Sequence, residues 1–470
     1  MPKTKTSPTE SFFHHLDRLP EKEGAFELLR DSFRNIALFY GFDKISFSAI
    51  DDARVYAPLI KAGLLAERPP VILKAAAGPD IVVRMSACLS VLRAYKSHKM
   101  NDFAQPVKVF LEGESFSFSL RQDIPMSRRD EETLVMAGEE GPIAEAQIVQ
   151  VIWNSLIDMG VPVKNLGLVV NAIGCNQCYT HFRSSLSSHL RNKVAGLCKN
   201  CKRSFKTTPT KILVCEEEKC SIATSHAPQM LDNLCEHCKK HLRGFLEFLD
   251  EMGIPYHLDL RRFRTGFWAD TILFEFTYTT VRPAVSVPTE KISDDSVQGD
   301  AVLPVQEEEP ASLPVPVPPA IKRGFILAEG GRSTRAAELM GCKGLEIAAG
   351  TLFLDAVSQV TFPPRTVETR PDVYLAQLGE IARRRSMRVL EMLRVAGISV
   401  KESLGRDAIK SQLKLAEKFG APVSLILGQK EVIDQTIIVR ETDSGIQEIV
   451  PQEKLIDFLR RRLKKEVTEV

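Results

Sequence analysis

A mixed α+β domain, interrupted by a cysteine-rich insertion and followed across a linker by a small α/β domain, is the fold that the sequence predicts. Three observations predict it. The runs VKVFLEGESFSFSL at 107–120 and ADTILFEFTYTT at 269–280 mix alternating and continuous apolar stretches rich in β-branched and aromatic residues. Strands of a large, half-buried antiparallel sheet have that pattern, and helical patterns flank both runs. From Asp372 onward strand and helix patterns alternate, which means helices covering a small sheet. Finally, eight of the ten cysteines fall within 175–238 as four close pairs, too dense for chance and best read as one inserted unit.

Composition sets the outer limits. With 470 residues and 44% hydrophobic content the chain can bury large cores, and that length suggests about two to four domains. The 62 basic and 60 acidic residues leave a net charge of +2, so any nucleic-acid surface has to come from local clustering and not from bulk charge. The N-terminal stretch is polar without a signal-like apolar core, and no run of about 18 apolar residues occurs. A cytoplasmic protein without a membrane partner is expected.

The elements follow in chain order. Residues 1–20 are expected to be a flexible tail. Over 25–41, Phe26, Leu29, Phe33, Ile36, Ala37 and Tyr40 recur at helical spacing and Gly41 is a natural stop. The core is expected to comprise 21–174, 239–281 and 321–362, with the insertion at 175–238. Residues 282–320 are dense in Pro, Ser and acids; such a segment cannot bury enough surface to offset the entropy of ordering, so a disordered linker is expected. GFILAEGGRS at 324–333 reads as a strand and turn. The last domain, 371–470, reads VYLAQ (strand), IARRRSMRVLEMLRVAG (helix), ISVKES (strand), AIKSQLKLAEKFG (helix), VSLILG (strand), TIIVRE (strand) and KLIDFLRRRLKKE (helix).

The cysteine pairs are Cys175/Cys178, Cys198/Cys201, Cys215/Cys220 and Cys235/Cys238. In a reducing compartment such knuckles suit tetrahedral zinc better than disulfides, either as two four-thiolate sites or as one site plus reduced thiols. Four thiolates close the coordination sphere, so the expected role is structural and not catalytic. His226, His237 and His241 are spare ligands or solvated polar surface. The surrounding runs HFRSSLSSHLRNK, CKRSFK and CKKHLR are basic, which suits either a solvated face or a surface that approaches a nucleic-acid phosphate backbone.

The C-terminal stretches DVYLAQLG (372–379), GRDAIKSQLKLAEKFGAP (405–422) and LILGQKEV (425–432) resemble the anticodon-binding domain of histidyl-tRNA synthetases. Upstream, YGFDKI (40–45), VRMSACLSVLRAY (83–95), the strand near Phe116, RTGFWADTILFEF (264–276) and GGRS (330–333) are similar in order to segments of that family. The resemblance covers the chain from Glu21 to Glu466 apart from the linker. It implies a class II synthetase catalytic core, an antiparallel sheet with helices, joined to an α/β anticodon-binding domain.

It also implies site residues. Arg264 resembles the family's catalytic arginine, and Arg84 and Glu139 stand at substrate-binding positions, with Arg93 nine residues after Arg84. Arg406, Lys410 and Lys414 stand on the part of the C-terminal domain that would contact tRNA, near further basic runs at 383–385 and 460–465. Other positions depart from the pattern. Ser86 and Cys88 replace an acid and a hydroxyl at the substrate amine, and Ser117 and Ser119 replace the Arg and Glu of the motif 2 strand. Val135 replaces the Gln that precedes Glu139; Phe267, Trp268 and Ala269 replace the Asp-Tyr-Tyr that reads histidine. Thr351 replaces the triphosphate arginine of motif 3, and Ser48 replaces the motif 1 proline. A serine cannot supply the charge-assisted bonds of the missing groups, and losing one such donor costs on the order of 3 kcal/mol in a transition state.

The expectation is therefore a tRNA-binding or regulatory synthetase-like protein that has lost histidine adenylation, homodimeric or paired with an authentic synthetase. An active divergent histidine–tRNA ligase, using ATP and magnesium and replacement arginines such as Arg121, Arg128 or Arg129, is the alternative. A regulatory subunit of a histidine-biosynthesis enzyme is a third reading.

Overall fold

The structure is a computed structural model that describes residues 17–65, 69–118, 126–215, 217–259, 270–279, 325–361, 370–403 and 408–463. The linker expected at 282–320 and most of the N-terminal tail lie outside the described residues. The chain divides into two units, residues 1–366 and 367–470.

The first unit begins with α1 (Pro20–Phe39) and β1 (Asp43–Lys44), then β2 (Ile50–Asp52), α2 (Ala53–Lys61), β3 (Ile72–Leu73), β4 (Ile81–Val83) and α3 (Ala87–Ser97). A long hairpin, β5 (Val107–Phe118) and β6 (Met126–Ala137), leads to α4 (Ile143–Asp158) and β7 (Leu166–Gly174). The cysteine-rich lobe carries α5 (Asn176–Leu190), α6 (Lys199–Thr207), α7 (Glu218–Thr224) and α8 (Glu236–Glu251). β8 (Tyr256–Leu258), β9 (Asp270–Tyr278), β10 (Phe325–Arg332), α9 (Thr334–Leu339), β11 (Ile347–Phe353) and α10 (Leu354–Val360) complete the unit.

Its main sheet has eight strands in the order β1-β5-β6-β11-β10-β9-β7-β8. The six inner strands are antiparallel, as expected from sequence. Both edges are parallel, β1 against β5 and β8 against β7. Parallel neighbours require a long crossover, and the chain supplies one at each edge: residues 45–106 at the first and the whole cysteine-rich lobe at the second. β2, β4 and β3 form a separate three-stranded sheet.

Helix α1 starts five residues before its apolar periodicity because Pro20 occupies its first turn, where a missing N–H costs nothing. It ends at Gly41, whose φ of 76° suits a left-handed cap. Phe26, Leu29, Phe33 and Ala37 are buried along one face, and the Phe33 ring meets Phe110 of β5 edge-on at 5.9 Å. The apolar core on this side of the sheet, shared by α1 and α4, continues without a break into the lobe through Phe182, Leu186, Met230, Leu242 and Phe245. A second core lies on the opposite face, with α3 and α9. The lobe is thus built onto the sheet as an extension of its core.

The second unit comprises β12 (Val373–Gln377), α11 (Glu380–Val395), β13 (Val400–Glu402), α12 (Ile409–Lys418), β14 (Val423–Leu427), α13 (Gln429–Ile433), β15 (Thr436–Glu441), β16 (Gln447–Pro451) and α14 (Leu455–Leu463). The order is β13-β12-β14-β15-β16, parallel among the first three and antiparallel beyond. β16 has no apolar signature, since only Val450 of its five residues is buried; an edge strand needs little more than that one anchor. Among the described residues no helix is long and apolar enough to cross a membrane.

Candidate functional site

The face of the main sheet that packs toward α3 carries a polar row. Ladder pairing places Leu111, Thr133, Thr351, Glu329, Glu275 and Val169 side by side across β5, β6, β11, β10, β9 and β7. All six are buried. Two residues further along, the same face presents Val109, Val135, Ala349, Gly331, Leu273 and Asn171. In the other direction it presents Gly113, Glu131 and Phe353. Period-two alternation fixes this sharing of a face.

Two hydroxyls of this row are turned toward each other. Thr351 Oγ1 lies 3.0 Å from Thr133 Oγ1. Val135 is core. Arg84 lies across Gly113 and donates from Nε to the Glu114 carbonyl at 2.8 Å; a Cβ on Gly113 would come within 2.6 Å of Arg84 Nη2. Burial lowers the pKa of this guanidinium against the pull of Glu131 and Glu114. Arg93 pairs with Asp51 at 2.5 Å and covers the Phe47 ring. Ser86 begins α3 without capping it through its side chain. Cys88 is wholly enclosed, and burial pushes its thiol pKa up.

Glu139 stands beyond the end of β6, in the turn before α4. Its carboxylate accepts from Gly141 N at 2.8 Å and its carbonyl from Arg332 Nη1 at 2.9 Å. The acids that do share the sheet face are Glu131, Glu275 and Glu329, which sequence reasoning passed over; strand alternation from Val135 back to Glu131 was the available signal. Arg128 contacts Glu114 and Asp130, and the Arg129 guanidinium lies 4.9 Å above the Phe353 ring. Ser117 faces Ser127 across the hairpin, and Ser48 accepts from Ile50 N. Ser119, Arg121, Arg264, Phe267, Trp268 and Ala269 lie outside the described residues.

Arg332, from the GGR motif, is the most heavily bonded cation among the described residues. It donates from Nε and Nη2 to the two Glu145 oxygens, both at 2.7 Å, and from Nη1 to Glu346 at 2.9 Å. The carbonyls of Glu139 and Gly141 take its remaining donors. His241 of α8 joins the same carboxylate, with Nε2 2.9 Å from Glu145 Oε1. Arg332, Glu145 and His241 are all buried, so His241 is not solvated surface, and it is not a member of either cysteine cluster. His226 and His237 are exposed. Arg332 also faces Asp270 across the ladder, and Asp270 accepts from Thr334 N and Arg335 N. Burial pushes the Asp270 pKa up to about 6.

The eight paired cysteines form two clusters. Cys175, Cys178, Cys235 and Cys238 make one (cluster 1), and Cys198, Cys201, Cys215 and Cys220 the other (cluster 2); within each, the four Sγ atoms lie within 4.8 Å of one another. The pairing is nested, first pair with fourth and second with third. Sγ atoms of Cys175 and Cys178 are 3.5 Å apart, and those of Cys198 and Cys215 3.9 Å. A tetrahedron with Zn–S bonds of ~2.3 Å puts sulfurs ~3.8 Å apart. Backbone N–H groups already point at the sulfurs: Cys175 N to Cys238, Cys235 N to Cys178 and Cys198 N to Cys220. Hydrogen bonds from the Cys201 and Cys238 amides draw the Cys198 and Cys235 thiols down to about 7, whereas burial pushes the Cys178, Cys201, Cys220 and Cys238 thiols up. All-thiolate donors at this spacing fit zinc, and both clusters could hold it.

On the lobe, Lys199, Lys202, Arg203 and Lys206 are exposed on α6. Their spacing puts them on one helical face, and among the described residues none pairs with a carboxylate. In the second unit Lys410 and Lys414 are exposed one turn apart on α12, likewise without a described carboxylate partner; Arg406 lies outside the described residues. Other basic residues there are engaged, Arg384 with Glu380 at 3.2 Å and Arg462 with Glu448 at 2.9 Å.

Known proteins resemble this chain along most of its length. Residues 372–462 match the family model described as anticodon binding domain. The chain is 26% identical over 447 residues to a histidine–tRNA ligase of Symbiobacterium thermophilum, covering 93% of this chain and 94% of the relative. It is 27% identical over 449 residues to that of Desulforamulus reducens, covering 95% and 97%. Apo S. aureus histidyl-tRNA synthetase shares the fold with a TM-score of 0.67 at 20% identity, over 94% of this chain and 97% of that one. A Bacillus halodurans protein named as an ATP phosphoribosyltransferase regulatory subunit/histidyl-tRNA synthetase does so with a TM-score of 0.57 at 13% identity, over 87% and 97%. The antiparallel sheet and the C-terminal domain together define a class II synthetase architecture. Within that class, the chain is similar along nearly its whole length to histidine–tRNA ligases.

Proposed function

We propose that this histidyl-tRNA synthetase-like chain is a tRNA-binding or regulatory pseudo-synthetase in which histidine adenylation has been lost. The observation that carries the reading is Thr351. It stands where the resemblance calls for an arginine against the ATP triphosphate, it is buried, and its hydroxyl is paired with Thr133. A neutral hydroxyl pair offers no charge to a polyphosphate, and adenylation depends on preorganised positive charge at phosphorus. Ser117 and Ser86 remove further charges from the same reaction, and Val135 and Cys88 remove neutral polar groups. Arg84 keeps its charge but is committed to the Glu114 carbonyl.

An active divergent ligase is favoured by the near full-length match to relatives named histidine–tRNA ligase. That reading needs replacement arginines together with ATP and magnesium. Arg128 and Arg129 are tied to Glu114, Asp130 and Phe353, which weighs against it. The anticodon-type domain supports tRNA contact through Arg406, Lys410 and Lys414, and the α6 cations suit a second stretch of phosphate backbone. A retained C-terminal domain likewise weighs against the biosynthetic-subunit reading. The zinc would be structural, holding the lobe. Self-association, or association with an authentic synthetase, is part of the same proposal.

Histidine-dependent pyrophosphate exchange with ATP, on zinc-loaded protein beside an authentic synthetase, tests it. No exchange above background, together with salt-sensitive binding of tRNA that weakens in Lys410→Ala/Lys414→Ala, is expected. Exchange at a synthetase-like rate would sink the reading.

A further inference from the structure

We infer that the two cysteine clusters are unequal: the cluster of Cys175, Cys178, Cys235 and Cys238 is coupled to the buried Arg332 clamp through His241, whereas the cluster of Cys198, Cys201, Cys215 and Cys220 only closes the outer end of the lobe. The inference rests on the reading that both clusters hold zinc.

Cluster 1 is built on the sheet itself. Cys175 directly follows Gly174, the last residue of β7, and a Cβ on Gly174 would come within 2.7 Å of both Cys178 Cβ and Leu234. Its other two ligands open α8, with Cys235 as the capping residue and Cys238 in the first turn. The buried residues of α8 are Cys238, His241, Leu242, Phe245 and Leu249, spacings that form one stripe along the helix. A metal ligand and the histidine that bonds Glu145 therefore sit one turn apart on one rigid surface.

From His241 the connection runs through bonds already described. Glu145 joins His241 to Arg332, and Arg332 braces the 139–141 turn, Glu346 and the end of β10. Beside it, Asp270 ties the start of β9 to the first turn of α9. Every link is a charge-assisted hydrogen bond of 3.1 Å or less between largely buried groups, and such bonds weaken steeply with displacement. Moving the first turn of α8 by about an ångström would break the His241–Glu145 contact and leave a buried carboxylate with one partner fewer. Among the described residues cluster 2 has no polar link of this kind to the sheet, although Cys198, Cys201 and Cys220 share its apolar core. Its ligands lie on or beside α6 and α7, which pack on the lobe's own short turns.

Coupling of this kind is reciprocal: if zinc at cluster 1 favours the clamp, the clamp favours zinc. His241 is then a positioning residue that acts through Glu145. The chain with Cys215→Ser/Cys220→Ser isolates cluster 1, and competition with a chelating dye reads its zinc affinity. Adding His241→Ala should lower that affinity by about 5- to 150-fold, the usual span of such couplings. His241→Gln, which can still donate to Glu145, should restore most of it. In the intact chain, hydrogen exchange at 139–146 and 325–335 should quicken when Cys235→Ser/Cys238→Ser empties cluster 1, and stay unchanged when Cys215→Ser/Cys220→Ser empties cluster 2.

Equal core exchange in the two variants, or an unchanged affinity in His241→Ala, would overturn the coupling while leaving two zinc ions per chain in place. Absence of zinc from the wild-type chain would instead overturn the zinc reading and the inference with it. If the Cys235→Ser/Cys238→Ser chain does not fold, the His241 pair of variants still decides.

Discussion

Arg332 and Thr351 stand on adjacent strands of one sheet, three ladder steps apart, and the contrast between them shows which charges a fold protects. Arg332 is bound on every side by groups of the same chain, Glu145 above all. Thr351 stands where, by resemblance, an arginine would face a nucleotide that comes and goes. Removing the first kind of charge strands a buried carboxylate, at a cost of about 3–5 kcal/mol. Removing the second strands nothing in the free protein. On the proposed reading, a chain under pressure to fold but not to adenylate would keep the first and lose the second, and GGR at 330–332 with Thr351 at the position that resembles motif 3 fits that pattern.

The largest effect that could break this contrast is at the clamp. Arg332→Met should destabilise the first unit by about 3–5 kcal/mol in urea denaturation at neutral pH. The loss should depend on pH. Burial alone would push the Glu145 carboxyl up, but hydrogen bonds from Arg332 and His241, and their charges, hold it below its ordinary range. A depressed carboxylate contributes stability that is complete above its unfolded pKa of about 4.3 and is lost as the pH falls through the lower native value. In the variant Glu145 no longer gains from ionising, so the penalty should shrink toward acid. A small or pH-independent loss would mean that Arg332 is dispensable to the fold and that its retention needs another reason.

These two positions also show what sequence could and could not reveal. The strands β5, β9 and β12, the helices α1, α11 and α14 and the cysteine knuckles were legible because each repeats a local signal: period two, period 3.6, or a closely spaced pair of cysteines. The parallel edge strands were not, since β1 has two residues and β8 three, and their pairing is decided by crossovers and not by local pattern. The nested pairing of the knuckles was open for the same reason: spacing identifies ligands but not partners. His241 reads locally as one more polar residue in a basic run; only the packing of α8 on α4 gives it Glu145. Glu139 resembles a substrate ligand by spacing along the chain, yet β6 ends before it, and it serves the turn that receives Arg332.

A second glutamate sharpens the comparison. Glu132 is as deeply buried as Glu145, but neither of its carboxylate oxygens has a hydrogen-bond partner among the described residues. Arg30 Nε stands 3.5 Å away, and Glu112 faces it across the ladder. Burial first, then the neighbouring charge of Glu112, raises its pKa well above the ordinary range. The sign is opposite to that of Glu145: a raised carboxylate contributes stability that is present below the unfolded pKa and is lost as the pH rises through the native one. Glu132→Gln should therefore stabilise the chain by about 1–3 kcal/mol near neutral pH, the cost of an unsatisfied buried group. The advantage should fade in acid, as a pH series of thermal melts would read. Destabilisation at neutral pH would show that Glu132 is held as an ion in earnest, as part of the α1 docking network with Asp130 and Arg30.

The smallest effect bears on the altered row itself. If Thr351 and Thr133 now serve only each other, Thr351→Val should cost about 1 kcal/mol, because the Thr133 hydroxyl is left buried without its partner. Replacing both by valine should then recover most of that loss, since two apolar groups of the same shape leave nothing unsatisfied. A double-mutant cycle in urea isolates the pair term. Strict additivity, with the double variant losing the sum of the single losses, would mean that each hydroxyl has a further partner on this face. It would reopen the row as a polar binding surface with a ligand of its own, in place of a former nucleotide site closed by a hydroxyl pair.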